Sequence, residues 1–223
     1  MANSTEPVKS ILDFLEKLKD NNNRDWMQDN KKTYQAAKQN FEAITADTLT
    51  DLIAIEPDMA GLDPKKCTFR LNRDTRFSKD KAPYKTNFGA YFAEGGKKSG
   101  NAGYYLHLEP GQCFLGAGIY MPDGEQLKKI RQEIDYNASE LKAVTEKDKF
   151  AEYFGAIKGD KLKRAPKGYD PSHPNIELLK LKSYFVTRPL TDEQVTSPDL
   201  RATVAESFDI VRPFVEYLNA ALS

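Results

Sequence analysis

Residues 87–120 read NFGAYFAEGGKKSGNAGYYLHLEPGQCFLGAGIY, and this stretch decides the fold. Apolar side chains recur in it at every second position, which is the pattern of strands with one buried face. Two turn signals interrupt the alternation: a Gly- and Lys-rich loop at 94–101, and the Pro110-Gly111 pair. The stretch therefore predicts three antiparallel strands joined as a meander.

Further strand signals lie on both sides of the meander. Upstream, Cys67, Phe69 and Leu71 alternate with more polar neighbours, which predicts a strand over residues 67–72. Downstream, residues 183–188 predict a returning strand. Helical spacing of apolar residues appears before and after these strands, with a break at Tyr136 and an expected kink at Pro213. The expected helices cover residues 7–20, 26–55, 127–150, 176–180 and 198–222.

Because consecutive strands are bracketed by helices, the pattern predicts an α+β fold: an antiparallel β-meander sheet packed against N-terminal and C-terminal helices. The 223 residues, 39% of them hydrophobic, suffice for one ordinary core, and no repeat or long linker divides them. We expect a single domain over residues 1–223.

The sheet face turned away from the apolar one is unusual in composition, because it combines glycines, tyrosines and other polar groups. Glycine inside a strand often marks the close approach of a ligand, and tyrosine offers a flat surface with a polar tip. The alternative is a second core layer beneath the C-terminal helices, which we favour slightly for Gly116 and Gly118. The residues expected on this face are Arg70, Asn72, Asn87, Gly89, Tyr91, Tyr105, His107, Gly116, Gly118 and Tyr120.

Composition bounds the cellular setting. The first residues, MANSTEP, contain no basic start followed by an apolar run, and no stretch approaches the roughly 18 apolar residues of a spanning helix. We expect a cytoplasmic protein without a membrane partner. Its two cysteines, Cys67 and Cys113, lie in strand-like surroundings and suit a reducing compartment.

Positive charge is concentrated in two segments of a chain whose formal net charge is zero. Residues 69–85 carry six cations against two acids, and residues 158–168 carry five against one. Such asymmetry favours an anionic partner, either a phosphate-containing small molecule or nucleic acid. Zero net charge speaks against a dedicated nucleic-acid binder. The candidate ligand-binding residues are Arg70, Asn72, Arg73, Arg76, Lys81, Lys85, Tyr105, Lys161 and Arg164.

Two alternatives to simple anion binding stay open. In the first, the protein is a hydrolase or transferase acting on an anionic substrate, with His107 or Asp74 as acid or base and the arginines stabilising developing charge. In the second, it is a structural or interaction module in which Asp74 and Asp80 pair internally with those arginines. Adjacency of the two basic segments would favour binding.

Metal and cofactor motifs are weak. The only histidines, His107 and His173, are not spaced with other ligands as a zinc or two-histidine-one-carboxylate site requires. The glycines of 95–99 and 116–118 lack the spacing and helix context of phosphate or dinucleotide loops. We expect no metal and no cofactor.

Three long motifs carry a resemblance: residues 69–87, 103–111 and 158–174, together with the shorter NNNRDW at 21–26. On these motifs, the chain resembles a bacterial conserved-hypothetical family, domain of unknown function 2461. The resemblance implies a single compact domain in a cytoplasmic setting. It implies no reaction, cofactor or catalytic residue.

Overall fold

A computed structural model describes residues 6–223 and contains one antiparallel sheet in the order β1-β2-β3-β4. The expectation about a leader rests on residues 1–5, which lie outside this range. The α+β prediction is confirmed, with helices at both ends of the described chain. The strands are β1 Phe88–Phe92, β2 Gly103–Leu108, β3 Phe114–Ile119 and β4 Tyr184–Pro189. The helices are α1 Glu6–Asp20, α2 Arg24–Asp29, α3 Lys31–Ile55, α4 Pro64–Cys67, α5 Gly124–Thr145, α6 Asp148–Phe154, α7 Ile176–Leu179, α8 Asp192–Val195 and α9 Leu200–Leu222.

Strand register fixes which side chains share a face. Leu106 of β2 lies opposite Ala90 on one side and Leu115 on the other, and all three are fully buried. One residue further along, His107 lies between Gly89 and Phe114. Because successive side chains point to opposite faces, the two rows belong to two different surfaces of the sheet.

The helices form a layer against the first of these surfaces. Phe41 of α3 stacks on Phe88 of β1, with ring centroids 5.3 Å apart. Phe208 of α9 packs on Tyr104 of β2 at 5.1 Å. The buried side chains of helices and strands make one continuous apolar cluster, so the core lies between the helical layer and this face.

Two predicted elements were wrong in extent. The helix expected over 26–55 is divided: Asn23 caps α2 by accepting a hydrogen bond from the Trp26 amide, and α3 begins only after Asn30. The strand expected over 67–72 is not continuous. Residues 64–67 form a helical turn that Asp63 caps through the Lys65 amide, and only isolated bridges follow it.

Those bridges extend the sheet on both edges. Thr68 pairs with Ala90 beside β1, and Lys158 pairs with Phe185 beside β4. Beyond Thr68, residues 69–85 form a segment that we call the arm, in which Asn72 pairs with Tyr84. The two basic segments of the sequence therefore contact opposite edges of the same sheet.

The helix expected over 127–150 is divided into α5 and α6, and α5 carries a non-helical Asn137 where the sequence pattern breaks. The helices expected over 7–20, 176–180 and 198–222 agree with α1, α7 and α9, and β4 returns next to β3. α9 runs as one helix through Pro213, where a kink was expected. Among residues 6–223, no helix is long and apolar enough to cross a membrane.

Candidate functional site

The second surface of the sheet, which we call the open face, is lined by rings that are partly accessible, down to 12% for the His107 side chain. Tyr105, His107, Phe114 and Phe185 are each partly accessible, whereas every strand residue that faces the helices between Phe88 and Val186 is buried. At its two ends, Phe69 is 40% exposed and Tyr120 is 71% exposed. The alternative of a core role for Gly116 and Gly118 agrees with their burial, although α9 also packs against the apolar face through Phe208.

Glycines allow two tyrosines to lie flat on the open face. A Cβ at Gly89 would stand 2.4 Å from the Tyr105 hydroxyl, so the ring of Tyr105 lies across β1 where a side chain would otherwise stand. The Tyr91 hydroxyl reaches in the other direction, to the carbonyl oxygens of Asn101 at 2.8 Å and Gly118 at 3.2 Å. Gly118 fits the alternative of a core role, because a Cβ there would meet Phe214 of α9 at 3.0 Å.

Aromatic contacts continue from ring to ring across the strands. Phe69 meets Tyr105 edge-on at 6.2 Å between centroids, and Tyr105 lies 5.6 Å from Phe114. On the far side, Tyr120 and Phe185 meet edge-on at 5.5 Å. The buried Gly116 lies between the two groups, so the aromatic residues follow a diagonal of the sheet.

Two cations lie over the Phe69 ring and a third, Arg70, is an electrostatic neighbour of one of them, Lys85; we call Phe69, Arg70, Lys85 and Lys97 the Phe69 cluster. The ammonium groups of Lys97 and Lys85 lie 4.8 and 5.5 Å from the ring centroid of Phe69. Lys97 also donates to the Thr68 carbonyl. Within residues 6–223, the ion pairs involve none of these three cations.

Burial and like charge act together on this cluster. Burial lowers the pKa of Lys85, and the nearby Arg70 guanidinium lowers it further. Burial also lowers the pKa of Lys97, with a smaller contribution from Lys85. Positive groups that are partly desolvated and lack carboxylate partners are stabilised when an anion binds between them.

A hydrogen-bonded chain runs along β2 beside the cluster. The Tyr105 hydroxyl lies 3.0 Å from His107 Nδ1, and His107 Nε2 lies 3.1 Å from Glu109 Oε2. Thr86 donates to the other Glu109 oxygen at 2.6 Å. Burial lowers the pKa of His107 more than Glu109 raises it, which favours the neutral ring, and burial raises the pKa of Tyr105 to about 12.

The tip of the arm has the opposite character, because its arginines are paired internally. Arg73 contacts Asp80, and Arg76 binds Asp74 in a two-pronged pair with nitrogen–oxygen distances of 3.0 and 2.7 Å. Lys81 donates to the Thr75 carbonyl at 3.0 Å. Hydrogen bonds from Arg76 lower the pKa of Asp74, and the Ala82 amide followed by Arg73 does the same for Asp80.

The second basic segment lies at the far edge of the sheet. Lys158 donates to the Thr187 hydroxyl at 2.5 Å on the open face. Lys161 is paired with Glu177 at 2.9 Å, and Arg164 is exposed. Five interstrand spacings separate the Thr68 and Lys158 edges, about 24 Å in all, so a compact anion does not span both.

Comparison with known families decides the affiliation of the chain. The family model described as "Conserved hypothetical protein (DUF2461)" matches residues 10–217. The chain belongs to this family. Neither the search of curated proteins nor the search of solved structures gives a match.

In this DUF2461 protein, the sequence-predicted site residues divide into separate groups. Lys85, Tyr105 and His107 come together around Phe69 and β2, and Arg70 is close enough to Lys85 to lower its pKa, whereas Asp74 is bound to Arg76 on the arm. The other predicted residues lie outside this group: Arg73, Arg76 and Lys81 at the tip of the arm, Lys161 and Arg164 beyond the far edge, and the exposed Asn72, which bridges to Tyr84.

Five residues of this candidate site were missed by sequence reasoning, the first being Phe69, which was expected on the apolar face with Cys67 and Leu71 but meets Tyr105 on the open face. Lys97 belongs to a loop that seemed merely flexible, and Phe114, Phe185 and Glu109 carry no motif. The period-two alternation contained the signal for Phe114, which shares a face with Tyr105 and His107. Only the fold of the hairpin brings Lys97 to Phe69.

Proposed function

We propose that this protein binds a phosphate-bearing ligand on the open face of its sheet, with the Phe69 cluster as the anion site. The observation that supports this most is the convergence of Lys85 and Lys97 on the ring of Phe69, with Arg70 close enough to Lys85 to lower its pKa and neither lysine in an ion pair of the described residues. Arginine and lysine donors together suit phosphate oxygens. The two free, buried cysteines support a reducing cytoplasm as the setting.

Titration calorimetry with inorganic tripolyphosphate tests the anion site. In the double variant Lys85→Gln/Lys97→Gln, each glutamine keeps a hydrogen-bond donor but loses the charge, and we expect affinity to fall at least tenfold. Added salt should weaken binding by the wild-type protein, because the contacts are ionic.

Two control variants remove equal charge elsewhere. Lys128→Gln/Lys142→Gln removes two exposed cations from α5, and Arg73→Gln/Arg76→Gln removes two that are already paired with Asp80 and Asp74. Both should retain most of the affinity. If the three double variants weaken binding equally, only net charge matters and the proposed site is wrong.

A second candidate function is acid–base catalysis on the same anionic ligand, which the Tyr105–His107–Glu109 chain favours. Both ring nitrogens of His107 face protein groups, so Tyr105 is the member of the chain that would exchange a proton with a substrate. A test is hydrolysis of p-nitrophenyl phosphate and its diester by wild type and Tyr105→Phe. A catalytic role requires a rate that falls by about 10²- to 10⁴-fold in the variant; equal rates exclude it for these substrates.

A further inference from the structure

We propose that the ligand is a single strand of nucleic acid, which crosses the open face diagonally from the Phe69 cluster to Lys158 with its bases stacked on the exposed rings. This inference rests on the proposed anion site and adds a ligand path between the two edges of the sheet.

Cations lie at both ends of the diagonal. The Phe69 cluster lies at the β1 edge, and Lys158 lies beside Phe185 at the β4 edge. The separation of about 24 Å corresponds to roughly seven nucleotides of a stacked strand, at about 3.4 Å each. A single phosphate or a mononucleotide engages one edge only. An extended polyanion engages both.

Aromatic rings recur along the path between the cations. Phe69 and Tyr105 form the first group of rings, and Phe185 and Tyr120 form the last. Every base has a π-face, so aromatic rings along a cationic surface bind single strands with little dependence on base sequence. Paired bases in a duplex are already stacked on each other and turn only their edges outward.

Fluorescence anisotropy with labelled oligonucleotides tests this inference. The probes are single-stranded oligo(dT) and oligo(rU) of about twelve nucleotides, a length within the usual site size of such proteins, and a DNA duplex of equal length. We expect either single strand to bind at least tenfold more tightly than the duplex. Preference for oligo(dT) or oligo(rU) would distinguish a DNA from an RNA ligand, and both support the inference.

A matched pair of variants locates the stacking. Tyr120 and Tyr136 are 71% and 72% exposed, so removal of either ring leaves the core intact; Tyr120 lies on the open face and Tyr136 on α5. Tyr120→Ala should weaken binding of the single strand by about 5- to 150-fold, the usual range for one stacked base. Tyr136→Ala should leave it unchanged.

The possible failures are distinguishable. If Lys85→Gln/Lys97→Gln weakens binding of tripolyphosphate and of the oligonucleotides, but Tyr120→Ala does not weaken the single strand or the duplex binds equally well, the anion site stands and the single-strand inference falls. If no variant changes the binding of any probe, both proposals fall.

Discussion

Gly89 determines how Tyr105 is presented on the open face. A methyl group at this position would meet the Tyr105 hydroxyl at 2.4 Å, while that hydroxyl is held by His107 at 3.0 Å. We expect Gly89→Ala to lower the free energy of unfolding by about 1–3 kcal/mol, the usual cost of overpacking. Urea denaturation measures this loss.

Two variants serve as controls for this prediction. Tyr105→Ala removes the obstructing ring, so the double variant Gly89→Ala/Tyr105→Ala should lose less stability than the sum of the single losses. At Gly116 a Cβ has no neighbour closer than 3.5 Å, so Gly116→Ala should cost little. Equal losses for Gly89→Ala and Gly116→Ala would contradict the packing described for Tyr105.

His107 makes stability depend on pH. Its pKa in the folded protein lies below the ordinary value of 6.5, so the unfolded chain takes up the proton first. The stability contributed by the neutral ring is complete above pH 6.5 and is lost as pH falls through the lowered folded pKa. Its neighbours in this balance are Tyr105, Glu109, Lys85, Asn87 and Phe114.

Thermal unfolding at pH 7 and pH 5 tests that dependence. We expect the melting temperature of wild type to fall further between pH 7 and pH 5 than that of His107→Gln. Glutamine is polar and similar in size to histidine but does not titrate. An identical loss in the two proteins would show that His107 does not contribute to the pH dependence.

At the scale of elements, the second basic segment is held to the sheet by Gly159. A Cβ there would stand 2.4 Å from the Ser183 carbonyl oxygen, which is backbone and cannot swing aside. We therefore expect Gly159→Ala to push Lys158 away from β4 and to break the hydrogen bond from the Lys158 amide to Phe185, now 2.7 Å long. Hydrogen exchange of the Lys158 amide should become faster.

Gly155 supplies the control for this element. It also has a positive φ, of 64°, but a Cβ there meets nothing within 4 Å. Gly155→Ala should therefore strain the backbone locally and leave exchange at Lys158 slow. Unchanged exchange in Gly159→Ala would mean that the segment does not depend on close approach to Ser183.

The meander could be predicted because its alternation and its turns agree. Apolar residues recur with period two inside each strand, as in Phe88, Ala90 and Phe92, and Pro110-Gly111 marks the turn between two of the strands. The helix boundary at Asn30 was missed, because the apolar stripe of residues 26–55 continues in phase across the break. The strand over 67–72 was wrong because Asp63 and Pro64 start a helical turn that alternation alone does not reveal.

The charges of the arm were harder to predict than its position. Composition shows six cations in residues 69–85, but not which of them have partners. Asp74 and Asp80 are close in sequence to Arg76 and Arg73, respectively, and form ion pairs with them in the folded arm. Lys85 lies beyond the arm tip at 73–81 and forms no ion pair in the described part of the chain. It lies over the Phe69 ring together with Lys97.

At the scale of the whole molecule, strand order separates the two basic segments. All four strands belong to one sheet, whose helices cover one face, and the basic segments contact its opposite edges. The sequence left open whether these two segments form a single groove. Whether they are neighbours depends on strand order, which involves distant parts of the chain. The prediction of a single domain remains a prediction.

We propose above all that the open face and the Phe69 cluster form the ligand site. Two-dimensional ¹H–¹⁵N NMR of the full chain, titrated with single-stranded oligo(dT), tests it most directly. The predicted result is that shifts concentrate at the amides of Phe69, Lys85, Lys97, Tyr105 and Phe114. Shifts confined to the arm tip at 73–81 or to the helical layer, or no shifts at all, would contradict the claim.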